Sequence, residues 1–323
     1  SRNAHRLRQL AASETALPVL AQMWRAAPAA NRPNIWRTFE TFTDPRQWLL
    51  RVLESSNQAA RAAAIDLLGE HGDSAAAPAL RTALGSPDAA VRTRAAAALG
   101  RLRDIASVPP LCRALEYGGD LPMVAAWALG EIGDPRAVPE LLEVLRSGER
   151  AAEGDLRRTA AIALGRIGDE SAVPALCEAL RDPVIEVRES AAEALEMLAS
   201  PLAVPALCAA LAVPQDRVRL RVVAALERIR DERAVEALAR CFDEASPVVR
   251  GKVLRALAAI GSEQGLPTLC RGLGDRKVDV RREAAEALRI LAAGCDDASL
   301  RLRAAVPILE RMCAGFSPER GDV

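Results

Sequence analysis

The chain repeats itself, and that constrains its fold more than any other feature. One leucine near the end of an Ala-rich segment recurs at Leu68, Leu99, Leu129, Leu164, Leu195, Leu226, Leu257 and Leu288, at intervals of 31, 30, 35, 31, 31, 31 and 31 residues. A period of this size means that each unit is one supersecondary element too small to bury its own apolar face, so it has to stack on its neighbours. The 323 residues are therefore read as one repeat array, not as the two globular domains that length alone suggests.

Each unit reads as two helices. Val187 to Leu198 shows the second helix most plainly and Ala172 to Leu180 the first. The first helix opens after Asp-Pro or Gly-Asp, as at Asp134-Pro135, where Asp can cap free amides and Pro tolerates the first helical position. Numbering the second helix from its Val as position 1, positions 1, 5, 8, 9 and 12 fall on one face at 100° per residue, and these are the Val, Ala, Ala, Leu and Ile sites. Helices this short are marginal alone in water, so stacking has to stabilise them. The core is built from Ala, Leu, Val and Ile, since the chain has only four Trp, four Phe and one Tyr.

The string Leu-Gly-x-Ile-Gly-Asp-x-x-Ala-Val-Pro-x-Leu, clean at Leu129 to Leu141 and Leu164 to Leu176, resembles the HEAT-like repeats named after phycobilin lyases. The resemblance covers about residues 44 to 291. It implies an all-α fold, a right-handed alpha-alpha superhelix whose second helices line the concave face. It does not fix a function, because such repeats serve in scaffolds, chromophore lyases, DNA-base glycosylases and a hydroxylase. The recurring His-Glu pairs of that di-iron hydroxylase are missing, since Glu70-His71 occurs once and in the reverse order.

About nine helix pairs are expected, with atypical ends. Residues 1–43 read as a helical cap whose degenerate pair is Ala16 to Arg25 and Arg32 to Phe42. Trp24, Trp36, Phe39, Phe42 and Trp48 crowd there, either to seal the open end of the stack or as a partner-docking end. Six arginines against Glu14 and Glu40 give this cap a charge of +4, and a tether to a larger or membrane-anchored parent is one reading of Ser1 to Arg8. Residues 44–291 form the repeats and 292–323 a closing helix, Ser299 to Ala314, with a frayed tail.

Composition narrows the function. Lys and Arg equal Asp and Glu at 43 each, which disfavours a protein whose main task is neutralising phosphates. No apolar run reaches the roughly 18 to 20 residues needed to span a bilayer, and seven Cys, an odd number, with two His suit neither a disulfide scaffold nor a His-rich site. A cytoplasmic location follows as the expectation. Cys112, Cys177, Cys208 and Cys270 share one position of the first helix, where helices about 8 to 10 Å apart keep them beyond disulfide reach. Cys241, Cys295 and Cys313 lack paired metal-ligand spacing, so no metal or cofactor is expected. His71 is expected to be half-buried at a repeat edge, and no residue stands out for catalysis.

Arginine follows the core Val or its substitute at Arg61, Arg92, Arg157, Arg188, Arg219, Arg250 and Arg281, broken only by Pro122. The expectation is a structural ladder bridging loop carboxylates and carbonyls between repeats. Positions 3 and 7 face away from the core and, by the resemblance, into the groove. There the middle of the array turns apolar at Met123, Trp127 and Ile162, with Leu220 further along. Exposed Trp and Met together are costly unless something covers them, either a partner or, in the alternative reading, a neighbouring repeat over which Trp127 folds back because the adjacent loop changed. Arg101, Arg158 and Arg166 rim the region, and the irregular loops Glu116 to Asp120, which includes Tyr117, and Ser147 to Asp155 flank it. The sequence therefore points to a non-catalytic scaffold that grips an amphipathic helix or peptide of another protein through these residues. The alternatives are a phycobilin-lyase-like chromophore factor and nucleic-acid binding by Arg158, Arg166, Arg228 and Arg255, whose surface is shared with Glu189, Glu193 and Glu286.

Overall fold

A computed structural model of the chain describes residues 45–294 apart from Ser56, Asp73 and 148–153, together with Arg303, Val306 and Pro307. Sixteen α-helices and no strand are found among the described residues. In order they are α1 (Pro45–Val52), α2 (Gln58–His71), α3 (Ala77–Ala83), α4 (Ala89–Leu102), α5 (Val108–Ala114), α6 (Leu121–Ile132), α7 (Val138–Arg146) and α8 (Gly154–Ile167). There follow α9 (Val173–Ala179), α10 (Ile185–Leu198), α11 (Val204–Ala210), α12 (Asp216–Ile229), α13 (Val235–Glu244), α14 (Pro247–Ile260), α15 (Leu266–Leu273) and α16 (Val278–Gly294). Odd-numbered helices are short first helices and even-numbered ones are the Ala-rich second helices. Eight pairs are thus described. The ninth pair expected in the cap, with Trp24, Trp36, Phe39 and Phe42, lies outside the described residues, as does most of the closing segment. Trp48, on α1, is buried.

The local sequence accounts for the element boundaries. Pro78, Pro109, Pro139, Pro174, Pro205 and Pro267 stand in the first turn of their helices, where no amide partner is lost. The Asp88 carboxylate accepts from the Ala90 amide at 2.9 Å and caps α4. Between a second helix and the next first helix the chain passes a left-handed residue, supplied by glycine at Gly72, Gly133, Gly168 and Gly261 but by Arg103, Ala199 and Arg230 elsewhere. A single 3₁₀ turn follows, and the Asp134, Asp169 and Asp231 side chains accept an amide two residues on. The Asp134-Pro135 signal therefore starts that turn, and α7 begins at Val138.

Contacts divide the chain into two units, one ending at Val144 and the other beginning at Leu145. In the first, α2, α4 and α6 lie side by side; in the second, so do α8, α10, α12, α14 and α16. The buried residues of α10 are Val187, Ser190, Ala191, Ala192, Ala194 and Leu195, which adds positions 4 and 6 to the expected face. A second helix flanked on two sides buries a wider stripe than one resting on a single surface.

Position 10 sets how closely the second helices approach. A Cβ on Gly69 would come within 2.6 Å of Ala98, one on Gly100 within 2.8 Å of Ala128, and one on Gly165 within 2.7 Å of the Ala194 backbone. No real side chain fits at those distances, so helix backbones pack in direct contact at α2/α4, α4/α6 and α8/α10. From α10 onward the same position holds Glu196, Glu227, Ala258 and Arg289.

Candidate functional site

The arginines at position 2 engage loops rather than solvent. In the second unit Arg157, only 2% exposed, meets Asp182 through Nε at 2.8 Å and Nη2 at 3.1 Å. Arg250 reaches Asp275 at 2.8 Å, and the looser Arg219 to Glu244 approach is 3.9 Å. In the first unit Arg61 stands 3.6 Å from Asp88. Asp88, Asp182 and Asp275 lie in the loop that opens the following second helix, whereas Glu244 ends α13 just before that loop.

The same arginines also donate to carbonyls of the loop just before their own helix. Arg188 reaches Asp182 O at 2.7 Å, Arg281 reaches Asp275 O at 2.8 Å and Arg92 reaches Ser86 O at 2.8 Å. Asp182 is thus a node. Its carboxylate serves Arg157 and the Val184 amide, while its carbonyl serves Arg188. At Asp275 burial works to raise the carboxyl. It is outweighed by hydrogen bonds from the Lys277 amide and Arg250 and by the Arg250 and Arg281 charges, so the group stays below the usual carboxylate range.

Tyr117 stands where Arg92 would meet a loop acid, 25 residues on, as Asp182 does for Arg157. The Arg92 guanidinium lies over its ring, 5.5 Å from the centroid, and the π face replaces the carboxylate. Tyr117 remains half-exposed, with one face engaged by the chain itself.

A second row runs along the even-numbered helices, from position 7 of one to position 4 of the next. It closes with ion pairs at Asp66 and Arg94, at Glu193 and Arg221, and at Arg255 and Glu283, the last two at 3.6 Å and 3.3 Å. Between α4 and α6 the row is apolar, with Ala97 opposite Val124. Trp127 follows at position 7 of α6, with Met123 one turn before it. Neither is fully exposed as expected; both are half-buried. A Cβ on Gly100 would lie 3.1 Å from Cζ3 of Trp127, which places the indole edge beside α4. Arg101, the residue after Gly100, is exposed and makes no ion pair among the described residues.

The other residues singled out by position belong to the second unit. Ile162 and Leu220 are half-buried on α8 and α12, Arg166 is exposed, and Arg158 pairs with Asp155 at 3.4 Å. His71 is exposed, not half-buried, because α2 ends there. Cys112, Cys177 and Cys208 are half-buried and Cys241 is buried, whereas Cys295 and Cys313 lie outside the described residues. Burial, with the Glu140 charge behind it, pushes the Cys112 thiol up to about 11. No group of three or more metal-binding side chains occurs among the described residues, and no described helix is long and apolar enough to cross a membrane.

Two features of the site were missed by pattern. Arg136 and Arg233 reach back from their 3₁₀ turns toward the Ile105 and Pro201 carbonyls, at 3.5 Å and 3.1 Å, and staple successive turns together. The Asp-x-Arg spacing at Asp134-Arg136 and Asp231-Arg233 signals it. The large apolar residues that do stand exposed include Ile105, Leu202, Val248 and Ile290, none of them at positions 3 or 7.

Comparison with known proteins places the repeats. The HEAT-repeat profile matches residues 46–120, 149–227, 204–289 and 236–314, and the PBS lyase HEAT-like repeat matches 123–147. No curated protein matches the sequence. Among solved structures, an engineered protein is 20% identical over 96% of this chain and 98% of its own, with a TM-score of 0.59. The E. coli protein YibA is 18% identical over 82% of this chain and 98% of its own, with a TM-score of 0.55. The complex of CpcE and CpcF of phycocyanin lyase from Nostoc sp. PCC7120 is 27% identical over 70% of this chain and 92% of that one, with a TM-score of 0.46.

Proposed function

The chain belongs to the HEAT-repeat family, and from that premise we propose that it is a non-catalytic protein-interaction scaffold. Its second-helix face at α4 and α6 takes an amphipathic helix or extended peptide of a partner protein. The observation behind this reading is the break in the second row. Charged pairs close that row at three junctions, while α8/α10 has Ile162 opposite Ser190 and α12/α14 has Ala224 opposite Lys252; here Ala97, Val124, Met123 and Trp127 leave the stretch apolar on both sides. A Trp held in place at one edge and open at the other is the kind of rigid anchor that dominates binding energy. Arg101 beside it favours a partner with acidic character. Ile162, Leu220, Arg158 and Arg166 offer the second unit's own stretch of the same face.

The competing readings find less support in the residues. Thiols pushed up by burial, as at Cys112 and Cys177, are poor nucleophiles for attaching a chromophore of the kind implied by the lyase name. Of the arginines that would have to hold nucleic-acid phosphates, Arg158 and Arg255 already meet Asp155 and Glu283.

The test is affinity capture with the chain and with its Met123→Ala/Trp127→Ala variant. The reading expects at least one protein retained by the first and lost from the second, a loss of about 2 kcal/mol or more with the helical circular dichroism unchanged. Equal capture by both chains would remove this surface from the account.

A further inference from the structure

A hollow of about 540 Å³ opens on the second unit where α12, α14 and α16 end. It exists because α14 carries Ala258 and Ala259 at positions 10 and 11, where its neighbours carry Glu227 with Arg228 and Arg289 with Ile290. Two side chains that stop at Cβ leave a trough between two that do not. The trough is lined by Ala258, Ala259 and Ile290, and Arg230, Arg255 and Glu227 also border it. Ile290 is 43% exposed and forms the apolar wall of the trough.

The charges around this trough are unevenly satisfied. Glu227 is held by Lys252 at 3.2 Å, Glu283 by Arg255 at 3.3 Å and Glu286 by Arg289. Arg230 is exposed at a left-handed φ of 57° and makes no ion pair among the described residues. The border thus has its acids compensated and a guanidinium to spare.

We propose that this trough is a second docking site, for a short peptide segment of a partner that sets a large apolar side chain beside a carboxylate. The apolar group lies over Ala258 and Ala259 against Ile290, and the Asp or Glu meets Arg230. A hollow of this size matches pockets that enclose a large side chain with its flanking backbone, and charge complementarity selects the acidic neighbour. The site does not rest on the Trp127 surface, which belongs to the other unit.

The experiment pans a phage-displayed library of random dodecapeptides on the intact chain and removes binders to an Ile290→Glu chain. The expected consensus is a large apolar residue next to Asp or Glu. A fluorescein-labelled consensus peptide, followed by anisotropy, should bind about tenfold or more weakly to Ile290→Glu and Ala259→Trp and about fivefold more weakly to Arg230→Glu. Val248→Ser, an exposed residue at the opposite end of α14 from Ala258 and Ala259, should leave binding unchanged, and circular dichroism confirms that each variant is folded. A consensus without acidic residues, no enrichment, or equal binding to Ile290→Glu would overturn the proposal. Tighter binding to Phe316→Ala, which removes the one aromatic residue of segment 292–323, would assign the trough to the chain's own C-terminal segment, and self-association abolished by Ile290→Glu would assign it to a second copy. Either result also overturns the partner assignment.

Discussion

The junctions α4/α6 and α8/α10 and the junctions α10/α12 and α12/α14 solve the same packing problem in opposite ways. In the first pair a glycine at position 10 brings two helix backbones together, with Gly100 on Ala128 and Gly165 on Ala194. In the second pair that position holds Glu196 or Glu227, and side chains span the gap through Arg217 to Glu189, Arg221 to Glu193 and Lys252 to Glu227. Steric contact fixes a junction without using polar groups, whereas exposed ion pairs contribute little each and weaken with salt. One repeat frame therefore yields junctions filled with charge and glycine junctions that can leave the neighbouring surface free for apolar residues, as at α4/α6, or carry an ion pair as well, as Asp66 and Arg94 do beside Gly69. The apolar stretch at Met123 and Trp127 sits beside a glycine junction.

The largest effect that separates the two kinds should come from the arginine ladder. Arg157→Ala removes a buried cation from an Asp182 that is 10% exposed, and urea denaturation should show a loss of about 3 to 5 kcal/mol. The corresponding loss at Arg219, whose partner Glu244 is 78% exposed, should be clearly smaller. Next comes Gly165→Ala. In an ordinary helix this change gains about 1 kcal/mol, but here the methyl meets the Ala194 backbone, and a net loss of about 1 to 3 kcal/mol is expected. Glu196→Ala, at the same position of α10, should shift stability by about 0.5 kcal/mol or less. If both changes had equal effects, the distinction between junctions would fail.

Acid titration sharpens the comparison further. The Asp275 carboxyl is held below its ordinary value, so its stabilising contribution is complete above that value and is lost as pH falls through the lowered one. Asp275→Asn should be less stable at neutral pH and should lose stability less steeply than the parent chain below about pH 4. The smallest effect is expected for the Glu193 and Arg221 pair. A double-mutant cycle should give a coupling of about 0.2 to 1 kcal/mol that shrinks in high salt.

Much of the fold was legible because the period is nearly constant and the core positions repeat. Position 9, for example, is leucine at every junction from Leu68 to Leu288, which fixes the helix phase unit by unit. The recurrence of arginine after the core Val was equally visible. Which acceptor each takes was not, because the partner of Arg157 lies in the next loop and the substitution of Tyr117 for an acid makes sense only once that loop is in place. Position 10 was harder still. Glycine within Leu-Gly-x-Ile-Gly-Asp reads as part of a helix end, yet Gly100 and Gly165 serve an approach that only the neighbouring helix reveals. The same approach explains the half-burial of Trp127, whose ring edge fits beside Gly100. Ile290 escaped notice because its exposure comes from two small residues on the adjacent helix, not from its own position.

The most direct test of the interaction surface places a photo-crosslinking benzoylphenylalanine at Trp127 and, in a second chain, at Glu193. Both are position 7 residues, one beside a glycine junction and one at a charge-closed junction. After irradiation in lysate of cells that produce the chain, the account predicts a discrete protein adduct from position 127 and none from position 193. Adducts of the same partner from both positions, or none from position 127, would contradict it.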